Sequence, residues 1–305
     1  MATIMHTRVR PSSTDDYRAP SRPRTIGLAI AVIGLVLTIV TFIANLVAVG
    51  DASLRAETLP WSFGLTTLGF GTVKLAIGVI LWGILMKLWL RVDALKETLP
   101  KLVHVDSTPS TGPSEVRTPY GTATVTATPP AELGIHRMAK TMWRPMLAMG
   151  IMAVAVGFVV SLSWAQSGGI VASTWTQGLQ FLGEGMLLAG VSFLLGTILW
   201  AIRTGGGEVQ HGLGVAVKTL KMPTTAKVFV ALMMLGLMVA VAQFVGYLIV
   251  AAGGVDTAAW LAFLGPLREL GLALILAGIT LALVTIGNVL RFQFDRIIEI
   301  IKTGK

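Results

Sequence analysis

Lys74 and Glu184 stand in otherwise apolar stretches of this sequence, and they are the residues whose chemistry needs explaining first. An ionisable side chain is costly in hydrocarbon, so within a membrane it marks either an ion or substrate site or one half of a structural pair. At about 1.5 Å per residue, counting outward from Arg91 and Arg203 puts Lys74 about 25 Å and Glu184 about 28 Å away. Both fall in the outer part of a bilayer, where a long side chain can extend its charge toward water. Their opposite signs predict an ion pair between Lys74 and Glu184 formed by neighbouring helices, with a solute or ion site as the alternative.

Other chemistry is poorly supplied. Histidine occurs only at His6, His104, His136 and His211, all in segments expected outside the bilayer, and there is no cysteine. Without imidazole or thiolate in the span, no metal or haem centre is expected there, and no cofactor. Met233, Met234 and Met238 read as packing or lipid-facing residues. Gly205, Gly206 and Gly207 lack the lysine and the strand context of a phosphate-binding loop, and no Ser, His and acid set suggests a hydrolase. The chain is therefore not expected to be an enzyme.

The elements that must position Lys74 and Glu184 follow from composition. Of the 305 residues 54% are hydrophobic and only 13% charged, which is outside the soluble range. The uncharged runs from Arg24 to Asp51, Lys227 to Asp256 and Glu269 to Arg291 each supply the roughly 20 residues that a helix needs to cross about 30 Å of hydrocarbon. The net charge of +9 does not point to nucleic acid, because 21 of the 24 Lys and Arg residues lie in segments placed on one side. That asymmetry follows the positive-inside rule and predicts cytoplasmic termini in a plasma or inner membrane.

Six transmembrane helices are expected, over about 26–49, 62–90, 145–165, 177–202, 226–251 and 262–290. Residues 1–25 read as a disordered basic tail, 26–95 as a first hairpin and 96–140 as a flexible linker rich in Thr and Pro. Within the linker, Thr124, Val125 and Thr126 alternate enough to form a short strand if a partner offers an edge. Residues 141–222 form the second hairpin, in which Pro145 marks a helix start and Gly205 to Gly207 a helix stop, with a short surface helix expected from Glu208 to Lys221. The third hairpin, 223–305, continues amphipathically through Phe292, Ile297 and Ile301.

A repeat organises these hairpins. Gly71, Gly78 and Arg91 recur as Gly183, Gly190 and Arg203 and as Gly271, Gly278 and Arg291, always seven and thirteen residues apart. The first helices align through Gly34 with Phe42, Gly150 with Phe158 and Gly236 with Phe244, each eight apart. Offsets of this kind place small residues on one stripe of each helix, where backbones approach closely in lipid. Because each hairpin starts and ends on the same side, the three are expected as parallel repeats. The fold class expected is thus all-α integral membrane, and the function a non-catalytic accessory or scaffold subunit. Its expected partners are membrane lipids and either other membrane subunits or copies of itself, and not nucleic acid. The alternative is a small-solute or ion transporter or channel using Lys74 and Glu184.

Overall fold

The computed structural model describes residues 22–50, 52–102, 113–167 and 170–303. Most of the basic tail and residues 103–112 of the linker lie outside these residues, and the linker's first residues continue α2 to Leu102. Six helices make up nearly all of the rest: α1 (Arg22–Gly50), α2 (Ala52–Leu102), α3 (Gly134–Ser167), α4 (Ile170–Gly212), α5 (Thr224–Ala252) and α6 (Thr257–Thr303). All six are long and apolar enough to cross a membrane. They pack most closely as α1 with α2, α3 with α4 and α5 with α6. At 1.5 Å per residue the 51 residues of α2 and 47 of α6 extend about 70 Å or more, over twice the roughly 30 Å of a hydrocarbon core. The even helices therefore project well past the span at the end where Arg91, Arg203 and Arg291 lie, called here the basic end.

α4 is the centre. Of its most apolar window 83% is buried, against 17 to 33% for the other five helices. It packs against α2 and α3 on one side and α5 and α6 on the other, while among the described residues the backbones of α3 and α5 do not approach each other, nor do those of α2 and α6.

Glycine sets how close the helices come. A Cβ on Gly150 would lie 2.8 Å from the Gly183 carbonyl, and one on Gly236 2.8 Å from that of Gly271. In the first pair the partner is different: Gly34 lies against Gly69, where a Cβ would meet its carbonyl at 2.7 Å. Gly71 and Gly78 turn instead to α3, receiving Val154 and Leu147. The same two side chains sit against Gly183 and Gly190 on α4, so α3 is clasped by glycines from both neighbours. Gly278 receives the Phe229 to Met233 stretch of α5. Without Cβ atoms, these backbones gain dispersion contact where burying apolar surface in lipid gives no driving force.

Three expectations about the basic end need correcting. α4 does not stop at Gly205 but continues to Gly212. Val92 of α2, Gln293 of α6 and Pro130 pack where side chains on Gly205, Gly206 and Gly207 would stand, at 2.6, 2.2 and 3.0 Å, so close packing overrides poor helix propensity. α3 begins at Gly134, placing Pro145 inside the helix; its first turns are held by His136, stacked on Trp200 at 4.3 Å, and by Ala139 against Gly196.

The third correction concerns the linker and the segment after α4. Strands β1 (Ser114–Thr118), β2 (Gly121–Thr126) and β3 (Val217–Leu220) form an antiparallel sheet in the order β1-β2-β3. No surface helix spans Glu208 to Lys221: its first part extends α4 and its last part is β3. Gly121, at φ +128, makes the hairpin turn, and Thr124 pairs with Thr219. Ala123, Val125 and Leu220 are buried on one face of the sheet and Val217 and Thr219 on the other, so the alternation of β2 finds an edge and a core together. The helix extensions of α2, α4 and α6 meet through Leu99, Val209, Leu213 and Ile300.

Candidate functional site

Lys74 is on α2 and Glu184 on α4, and the structure brings them together: Nζ lies 3.1 Å from Oε2. A third charge joins them. Arg268 of α6 donates through one terminal nitrogen to the same Oε2, also at 3.1 Å. One carboxylate oxygen is therefore shared between cations from the first and third hairpins. Glu184 is only 2% exposed, whereas Lys74 and Arg268 are 16% and 27% exposed. The acid is enclosed and the two bases are partly exposed, which suits long side chains with mobile charged heads.

The surroundings fix Arg268. Its guanidinium lies 3.9 Å above the Phe181 ring, and its other terminal nitrogen reaches Glu269 at 3.3 Å. Phe181 is in turn held by Phe63 at 5.9 Å, edge-on, and by Tyr247 at 5.8 Å. Aromatic rings from α2, α4 and α5 thus form a platform for the arginine, a cation–π arrangement strengthened by exclusion of water. Gln243 donates to the Leu264 carbonyl at 3.2 Å and closes the α5 side. Within this setting two cations and two carboxylates balance.

One turn outward from Glu184 lies Gln180. It is fully buried, and neither its side-chain oxygen nor its nitrogen has a hydrogen-bond partner. The Arg268 Nε is likewise buried without one. Such groups are rare in folded proteins.

Sequence reasoning did not single out Arg268. A signal was present: Arg268 stands three residues before Gly271, as Gln180 stands three before Gly183, so the repeat puts it within one turn of Glu184 in depth. Two histidines also move. His136 lies in the first turn of α3, buried and stacked on Trp200, rather than in a loop, and His211 ends α4, within 3.2 Å of the Ala127 carbonyl. Met233 is buried in the core, whereas Met234 and Met238 are exposed. Among the described residues no three His, Asp or Glu side chains gather in a way that would hold a metal ion.

The remaining glycines of the repeat, Gly34, Gly150 and Gly236, are all buried at the contacts described above. Chemically the cluster offers a fixed carboxylate with two donors and an aromatic wall. It can lock three helices together, and it has no free nucleophile. Comparison with protein-family models, curated proteins and solved structures finds no match to this chain.

Proposed function

We propose that this chain is a non-catalytic multi-pass membrane protein, an accessory or scaffold subunit whose helices pack against partner helices in a larger membrane complex. The observation that carries this reading is the shared Glu184 oxygen. The charges within the span are directed at one another, one from each of α2, α4 and α6, and so tie the bundle together. A large apolar surface is left for neighbours: α1 exposes Val32, Val36, Ile39, Ile43 and Leu46 along its length. In this reading the three hairpins are parallel repeats with cytoplasmic termini, as the one-sided distribution of Lys and Arg supports. The head built from the helix extensions and the sheet would then face soluble partners.

A second reading, a transporter or channel for an ion or small solute using Lys74 and Glu184, is favoured by one observation. Gln180 presents a carboxamide with no protein partner one turn from Glu184, which suits a polar solute passing between them.

Purification of the full chain in mild detergent, with identification of co-purifying chains, separates the two. A stoichiometric membrane partner is the expected result. A monodisperse homo-oligomer that moves a solute in proteoliposomes, with flux lost in Lys74→Met while assembly persists, would overturn it in favour of transport.

A further inference from the structure

At the basic end of the span, α3 and α5 stand apart on the two sides of α4 and leave a groove between them. Its floor is Phe193, Gly196 and Leu199 of α4, and its walls are Ala139 of α3 with Phe229 and Met233 of α5. The Ser192 hydroxyl in the floor is already bonded to the Leu188 carbonyl, so the groove presents an apolar surface along its length.

Its basic end is different. His136 lines the groove there, 8% exposed, with Nδ1 buried and without a hydrogen-bond partner. One turn beyond Leu199 on the same helix, Arg203 is half-buried, its Nε also without a partner, and among the described residues it forms no ion pair. The two are close enough for their charges to interact, while Glu132, the acid that acts on His136, is held by Lys140 at 3.1 Å. Arg91 and Arg291, at the same position of the repeat, are both exposed. A half-buried guanidinium at the membrane boundary calls for an anion, because an unpaired charge out of water is expensive.

We propose that this groove binds an anionic phospholipid from the leaflet at the basic end, one acyl chain lying along α4 and the phosphate facing Arg203 and His136. The apolar floor matches a hydrocarbon chain in section, and phosphate oxygens match the planar donors of a guanidinium. Anionic lipids collect in the leaflet toward which basic residues are turned. The site goes beyond the scaffold reading and does not depend on it.

The test is native mass spectrometry of the full chain in detergent, titrated with dioleoyl phosphatidylglycerol or dioleoyl phosphatidylcholine. The wild type is expected to retain one phosphatidylglycerol with a preference of about tenfold, the range of a hydrogen bond to a charged group. Arg203→Gln removes the preference and leaves weak binding of both lipids. Gly196→Leu fills the floor, since a Cβ there meets only Ala139 at 3.5 Å, and reduces retention of both lipids. Full preference in Arg203→Gln, or unchanged retention in Gly196→Leu, would overturn the proposal. Should a variant fail to assemble, phosphatidylglycerol with a photoreactive acyl chain is crosslinked to the wild type. Labelling confined to α4 around Phe193 to Leu199 and α5 around Phe229 to Met233 supports the site, and labelling spread evenly over α1 refutes it.

Discussion

Two polar clusters join α4 to α6 at opposite ends, and they are built in inverse fashion. At the outer end the buried group is an acid: Glu184 is 2% exposed and its bases lie nearer the surface. At the basic end the buried group is a base, Arg296, with a side chain 3% exposed, and its acid, Glu299, is 44% exposed. Arg296 bonds through Nε to Gln210 Oε1 and through a terminal nitrogen to the Ala216 carbonyl, both at 3.2 Å. The difference follows from which backbone groups are free. Inside the span every helix carbonyl serves the helix, so a charge there must be met by another charge. Past Gly212 the chain leaves its helix, and the Ala216 carbonyl becomes available to a buried cation beside the Gln210 side chain of the last turn. The outer cluster consequently hangs on one atom, whereas the basic cluster spreads its bonds over three residues.

Glu184→Gln carries the largest expected effect. It leaves two cations without the negative charge they share and should cost about 3–5 kcal/mol, as breaking a buried ion pair does. Thermal unfolding in a fixed detergent measures it. The triple variant Lys74→Met, Glu184→Leu, Arg268→Met should recover most of that loss, since apolar side chains of similar volume replace such networks at little cost. If the single variant unfolds like the wild type, the dependence on one atom is wrong.

Removing one cation is milder, because the carboxylate keeps the other. Arg268→Met and Lys74→Met should each cost about 1–3 kcal/mol in the same measurement. Arg268→Met should cost more of the two, since its stacking on Phe181 is lost as well. Arg296→Met at the basic end should cost only about 1 kcal/mol. Gln210 Oε1 still accepts the Lys218 N–H at 2.8 Å, and Glu299 still reaches Lys218 at 2.8 Å.

The smallest effect is a pH dependence confined to the basic end. Tyr120, in the turn between β1 and β2, donates to the Asp295 carboxylate at 2.5 Å, and that hydrogen bond raises its pKa above the ordinary tyrosine value. A raised folded-state pKa gives a contribution that is complete below the unfolded value of about 10 and is lost as pH rises through the folded value. Stability should therefore fall slightly more steeply with alkaline pH in the wild type than in Tyr120→Phe, read as the pH dependence of the melting temperature.

The spans were legible because long uncharged runs leave few alternatives, and six apolar helices follow from them. Helix ends were less so. Gly205 to Gly207 carry a local signal to stop, and the helix passes through them because Val92 and Gln293 occupy the space that side chains would need. Ser114 to Thr126 carry a composition that cannot fold alone, and they form strands because Val217 to Leu220, some ninety residues later, offer an edge. Both failures have one cause, a distant contact outweighing a local preference. In the charge cluster, their apolar surroundings brought Lys74 and Glu184 into view, whereas Arg268 was hidden by its place near Pro266 and beside Glu269, where a charged pair fits an interfacial helix start. Its role depends on Phe181 and Tyr247, which no reading of one helix connects to it.

The turning of Gly71 and Gly78 away from α1 has a consequence for biosynthesis. A chain made from its N-terminus releases α1 and α2 into the bilayer with two notches facing lipid, because the Leu147 and Val154 that fill them have not yet been made. α2 is thus left with an open face until α3 is delivered, and α3 must enter before α4 can close its glycines on the same two side chains. The outer charges obey the same order: Lys74 waits for Glu184, and Glu184 for Arg268.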